Sequence, residues 1–379
     1  MLVLSLAVVV LLLAIELGIF WLGPRYVGLD FHAYEAAARV GVHSGWSQIY
    51  DQGPDRAVEK QLLPEQITLR FISPPPVAWL AAGLTPLPFW FAYGVWAAVM
   101  FIALAFALGW STTYRGPARL VAVGVAIVPW WVLHALYVGQ VVPLVAAGVL
   151  VAWRLAREER DVAAGIALSL VLLKPQTALL APIALAAAGR YRAFAAWAAS
   201  AAAVTGASVL AIGPHGLAAY AASLNGVPAS SSDLTLPGTL GLTGAAVPLC
   251  GALIVGSALI TARRVRSAPG IVIALGVLAS LLSSPYLYEN DLCLLGAAGW
   301  ILWHERPSPW LRTSLLAVWM VAITHLLVGV PSVRQWPLIE LTLMLALVIA
   351  AWFGLLDNSP ATAATSFTGA ADPAKRADV

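Results

Sequence analysis

The chain opens MLVLSLAVVVLLLAIELGIFWL, apolar except for Glu16 near its far end, and then turns at once to GLDFHAYEAAARV over 28–40. Apolar runs recur at 2–22, 88–110, 119–136, 141–156, 162–174, 176–189, 193–213, 239–262, 269–283, 291–304, 312–330 and 337–355, separated by short polar stretches. Roughly 20 apolar residues cross the hydrocarbon core as a helix. The pattern therefore predicts an all-α polytopic membrane protein with about 12 transmembrane segments, within 10–13. Several runs hold only about 13–16 residues. They are expected as segments shielded by neighbours or as broken helices beside a cavity, because bare backbone at membrane depth needs such cover. The stretch 162–189 is expected to divide at LLKPQ, where Pro175 has no N–H to give.

The polar stretches set the rest of the plan. Residues 23–87 form a first outside loop, whose end, SPPPVAWLAAGLTPLP at 73–88, is too short and proline-rich to span and suits a re-entrant or interfacial helix. A second outside loop, 214–238, is rich in Gly, Ser and Pro. Residues 1–355 are read as a single membrane domain and 356–379 as a disordered tail. The first run has no basic stretch before it and no small-residue cleavage site, so it reads as a retained span.

Composition strengthens this picture: 61% of residues are hydrophobic and 10% charged, where soluble domains carry roughly 25% charged. Charge orients the chain. With the amino terminus inside and every run crossing, the inside segments take Arg115, Arg119, Arg154, Arg157, Arg160, Arg190, Arg192, Arg263, Arg264, Arg266, Arg306, Arg312, Lys375 and Arg376, fourteen of twenty-one Lys and Arg. Short outside loops keep Lys174 and Arg334. That bias follows the positive-inside rule, and dividing 162–189 is what maintains it. The net charge of +3 is thus a topological signal, not a nucleic-acid one. An Ala-, Leu- and Arg-rich, Lys-poor composition suggests a bacterial inner membrane, with both termini cytoplasmic and the outside face periplasmic. Cys250 and Cys293 sit in apolar runs with no CxxC or Cys/His spacing, which suggests neither a disulfide framework nor a zinc site.

On this topology the polar residues that resist a packing role share one face: Asp30, His32 and Tyr34; Arg70; Gln140; Lys174 and Gln176; Asn290 and Asp291. Ionisable groups converging at a membrane surface make a polar cavity. Each has a structural competitor. Asp30 suits a helix-end charge, Lys174 a snorkelling lysine, and Asn290 or Asp291 a helix cap. Gln140 could satisfy loop backbone, Glu16 a bundle hydrogen bond, and His134 an interfacial contact.

Four ordered stretches resemble glycosyltransferase family 87, a group of GT-C membrane enzymes that includes polyprenyl-phosphate-mannose-dependent mannosyltransferases. They are Leu29-Asp30-Phe31 with Tyr34; Ile49-Tyr50-Asp51 leading to Pro74-Pro75-Pro76 and Pro86; Gly139-Gln140 followed by Leu173-Lys174-Pro175; and Ser284-Pro285-Tyr286 running into Asn290-Asp291-Leu292. The chain departs in having Ile72-Ser73 where relatives often carry an aromatic, and Asn290-Asp291 where some carry a histidine pair.

The resemblance implies a GT-C-like bundle and inverting transfer of a hexose, mannose in the nearest analogy. The donor would be a polyprenyl-phosphate carrier and the acceptor a lipid or a glycan. Membrane lipids would be the other partners, and neither cofactor nor metal is implied. By family position Asp30 is the base that takes the acceptor proton. A leaving phosphate needs a cation, for which Arg70 and Lys174 are the candidates. His32, Tyr34, Gln140, Gln176, Asn290 and Asp291 are expected to meet sugar or acceptor. A transporter or flippase of lipid-linked or small-molecule substrate is the principal rival, since broken helices with a proline break also serve transport. A non-catalytic scaffold, or a polymerase or ligase of lipid-linked glycans, is a third reading; a ligase would be expected to use a large late loop with arginine and histidine, where 214–238 has only His215.

Overall fold

A computed structural model describes residues 26–224, 234–305, 308–324 and 335–356, together with scattered helical positions between 7 and 18. Glu16, the segment 225–233 and all but the first residue of the tail expected at 356–379 lie outside the described residues. The described residues form helices and no strand: α1 (Leu29–Ser44), α2 (Gln52–Leu62), α3 (Pro75–Ala82), α4 (Phe89–Ser111), α5 (Pro117–Ile127), α6 (Trp130–Val138), α7 (Val142–Arg157), α8 (Asp161–Ala167), α9 (Leu180–Ala187), α10 (Tyr191–Leu224), α11 (Leu236–Thr239), α12 (Ala246–Arg264), α13 (Pro269–Ser283), α14 (Cys293–His304), α15 (Pro309–Thr324) and α16 (Gln335–Trp352).

Four of these, α4, α10, α12 and α16, are long and apolar enough to cross a bilayer, and α5 with α6, bent by 71°, make a fifth at most. The described residues therefore do not present twelve full crossings. The discrepancy has a physical cause. Helix α7 has 16 residues and α13 has 15, about 24 and 22 Å of rise, short of a hydrocarbon core of roughly 30 Å. Nearly every residue of α13 is buried by protein, so its hydrophobicity serves a core. Apolarity alone does not separate these cases. The long helices instead turn large apolar side chains outward, among them Phe106, Leu210, Leu253 and Leu345, as a lipid-facing surface requires.

Two breaks position the site. At LLKPQ, α8 tightens into a 3₁₀ turn, Leu168–Leu173, and a second turn, Pro175–Thr177, follows; Lys174 between them is extended at φ −150°, ψ 74°. A residue before proline is disfavoured in the helical region, so the sequence itself forces Lys174 out of the helix. The other break is in α10, where Gly213 (φ 63°) and Pro214 interrupt the helix. The stretch 214–238, expected as loop, is thus helical as far as Leu224. Proline is well suited to begin a helix, and the alanine-rich residues after it sustain one. The proline-rich stretch at 73–88 does contain a short helix, α3.

Candidate active site

Helix α1 lays Asp30 and Tyr34 on one face, since residues four apart are stacked. The Tyr34 hydroxyl donates to Gln140 Oε1 at 2.8 Å, and the Gln140 side chain also hydrogen-bonds Asp30. What brings Gln140 there is a glycine. Gly139 ends α6 in the left-handed region (φ 77°, ψ 33°), with its N–H on Leu136 O at 3.1 Å and Gln140 N–H on Ala135 O at 2.7 Å. A Cβ at 139 would stand 2.6 Å from Phe31 Cβ, so α1 and the α6 terminus approach as closely as they do only because that atom is missing. Trp96 Nε1 then donates to Gly139 O at 2.9 Å. Gly139→Ala is expected to cost about 2–4 kcal/mol, combining left-handed strain with overpacking. Gly189→Ala, at φ 84° with the same helix-end hydrogen bonds and open space around it, is the control for strain alone; equal losses at both sites in thermal unfolding would remove the contact with Phe31 from the account.

Opposite α1 stands Lys174. Its Nζ lies 2.6 Å from Asp291 Oδ1 and donates to Asn290 Oδ1 at 3.3 Å, and it sits 5.7 Å from the Tyr288 ring centre. Asp291 is fully buried and also accepts the Tyr288 N–H at 2.9 Å, capping the 3₁₀ turn Glu289–Leu292. The capping role and the ion pair are therefore held by one side chain. An ammonium has three donors, and Asn290 and Asp291 engage two. Asp30 feels both ends of the pair. Loss of water around its carboxylate raises its pKa to about 6, Lys174 and the Gln140 hydrogen bond pull it back down, and Asp291 pushes it up.

The structure thus unites Asp30, Tyr34, Gln140, Lys174, Asn290 and Asp291, and leaves three expected residues aside. His32 is buried on the far side of α1, where Nε2 meets Glu59 O at 2.8 Å beside the buried acids Asp55 and Glu59, so that it braces α2. Burial raises those two acids as well, to about 8 and about 7. Arg70 is exposed in the extended segment before α3 and makes no ion pair or hydrogen bond among the described residues. Gln176 is half-buried, and no hydrogen bond among the described residues joins it to the others. The sequence reading passed over Glu340. It is buried on α16 near Asp291, and neither carboxylate oxygen has a hydrogen-bond partner. An acid inside QWPLIELTLMLALVIAAW was the available signal. No group of His, Cys, Asp or Glu among the described residues is arranged to hold a metal ion.

Beside this cluster, a cavity of about 540 Å³ runs between α4, α5, α14, α15 and α16, lined by Leu104, Trp131, Cys293, Trp319 and Leu343 among other apolar residues. Cys293 follows Asp291 by two positions, so the apolar space begins next to the ion pair.

A helical membrane protein in which a carboxylate held by Gln140 feels a buried lysine, with an apolar cavity alongside, has the parts of an enzyme site within a membrane. The chain belongs to glycosyltransferase family 87: the model of that family matches residues 71–285, more than half of the 379. The matched stretch contains Gln140 and Lys174, while Asp30, Asn290 and Asp291 flank it. No curated protein and no solved structure matches the chain.

Proposed function

We propose that this glycosyltransferase moves a hexose, mannose by family resemblance, from a polyprenyl-phosphate carrier to a lipid or glycan acceptor at the periplasmic face of a bacterial inner membrane, with inversion. The observation that carries the reading is the Lys174–Asp291 pair beside Asp30 at the start of the apolar cavity. The cavity volume falls within the roughly 300–1,000 Å³ of ligand pockets, and its lining suits an isoprenoid chain.

In the reaction, Asp30 takes the proton of the acceptor hydroxyl as its oxygen bonds the anomeric carbon. The bond from that carbon to the phosphate oxygen breaks, and polyprenyl phosphate leaves as an anion facing Lys174. Positive charge gathers on the sugar ring in the transition state, as in other glycosyl transfers. Lys174 meets the charge that develops on the leaving oxygen, where a fixed cation is most effective. Arg70, exposed and apart from the pair, is not given this role.

The experiment is transfer of label from radiolabelled polyprenyl-phosphate hexoses by the purified protein in lipid nanodiscs. Label leaving the carrier supports the reading, and intact donor across the hexoses tested sinks it. For sidedness, a cysteine replacing the exposed Ala222 in a Cys250→Ser background is expected to react with an impermeant thiol reagent added from the periplasm. Reaction only after the inner membrane is opened would invert the orientation.

A further inference from the structure

The tyrosines beyond Asp30 have no part in the chemistry so far. Tyr50 is buried, donates its hydroxyl to Ser73 O at 2.8 Å, and stacks on Phe71 with ring centres 5.3 Å apart. Its other neighbour is Tyr220, 4.7 Å away and tilted by 35°. Tyr220 comes from the part of α10 after the Gly213 break, and that part is fastened to the first outside segment. His215 Nε2 reaches the Asp51 carboxylate at 3.0 and 3.1 Å, and Gly216 packs so closely that a Cβ there would lie 3.1 Å from Ser47 O. Tyr286 lies near Tyr220 and Asp291 and meets Tyr288 edge-on at 6.2 Å.

The wall is thus built from three distant parts of the chain. Ser73 connects it to the base, since its side chain hydrogen-bonds Tyr34, one turn from Asp30, while its carbonyl accepts the Tyr50 hydroxyl. Tyr220 and Tyr286 are only half-buried, and neither phenol hydroxyl has a hydrogen-bond partner among the described residues. Held ring faces with unpaired hydroxyls at their rims offer an apolar plane and polar tips together. A pyranose has the matching form: one face of C–H bonds and a perimeter of hydroxyls. An alkyl chain would use the faces and leave the hydroxyls idle.

We propose that Tyr220 and Tyr286, backed by Tyr50, form a stacking platform for a sugar ring of the acceptor, so that the acceptor hydroxyl presented to Asp30 belongs to a glycan and not to a bare lipid alcohol. The inference rests on the transferase reading for its sense of acceptor. The donor phosphate is assigned to Lys174, so the platform is the approach left for the second substrate.

The test uses methyl α-mannopyranoside and methyl β-glucopyranoside as probes, with the full-length protein in nanodiscs free of glycoside detergent. Saturation-transfer NMR should show contact at the ring C–H protons for at least one pyranoside. The signal should fall at least fivefold in Tyr220→Ala and Tyr286→Ala and persist in Tyr220→Phe and Tyr286→Phe, which keep the ring face. In transfer assays, octyl pyranosides should accept label and octanol should not, and the alanine variants should raise the acceptor KM at least tenfold with the donor KM unchanged. Absence of pyranoside contact in the wild type, equal contact in the alanine variants, or equal transfer to octanol overturns the platform. Pyranoside contact without any donor turnover would preserve the platform and remove the transferase reading. Donor turnover without pyranoside contact would do the reverse.

Discussion

Asp30→Asn is expected to lower transfer by a factor on the order of 10²–10⁴, the usual contribution of a positioned base, while leaving the protein more stable at neutral pH. Both results come from one cause. The folded surroundings raise the Asp30 pKa from 3.8 to about 6. Between these values the folded chain keeps a proton that the unfolded chain releases, so stability declines as pH rises through the window. An asparagine has no charge to strip of water. A variant with a higher unfolding temperature at pH 7 and almost no transfer would exclude misfolding as the reason for inactivity. In the wild type, kcat/KM should fall tenfold per pH unit below about 6, because only the ionised carboxylate accepts a proton. A limb near pH 4 would show that the free enzyme does not hold Asp30 in this environment, and near-normal transfer by Asp30→Asn would end its assignment as base.

Lys174→Met is expected to damage the protein twice over. It removes the cation assigned to the leaving phosphate, a loss of about 10²–10³ in kcat by analogy with a deleted oxyanion donor. It also leaves Asp291, fully buried, without its counter-charge, and breaking a buried pair from one side costs about 3–5 kcal/mol. The two effects can be separated. Adding Asp291→Asn removes the stranded charge and keeps an acceptor for the Tyr288 N–H, so the double variant should regain most of its stability and none of its transfer. Recovery of transfer would mean that Lys174 serves the fold alone. Because Lys174 lowers the Asp30 pKa, the acid limb of any residual activity in the single variant should move above about 6.

Much of the cluster was legible in the sequence because membrane proteins place few ionisable groups without reason. The break at Lys174 followed from Pro175, whereas the shared face of Asp30 and Tyr34 depends on a helix, Leu29–Ser44, inside a stretch read as loop. His32 illustrates a limit that the same spacing could have removed: two residues along a helix turn the side chain by about 200°, away from the face that Asp30 occupies. Arg70 was chosen for its nearness in sequence to the proline-rich segment, and an extended stretch fixes no direction for its side chain. The expected number of crossings is not matched by membrane-length helices among the described residues, for another reason. Hydropathy records that α13 is apolar and is silent on whether lipid or protein covers it. The tyrosine wall was out of reach, since Tyr50, Tyr220 and Tyr286 converge only through the tertiary fold.

The Gln140 amide has a fixed polarity. Its oxygen receives the Tyr34 hydroxyl and also the Val141 N–H at 3.2 Å, and a backbone N–H can only give, so the NH₂ end is the one turned to Asp30. An amide held this way cannot carry hydrogen onward. It gives a hydrogen bond to the carboxylate and takes no proton from it, so Gln140 holds Asp30 in place without opening a path for its proton.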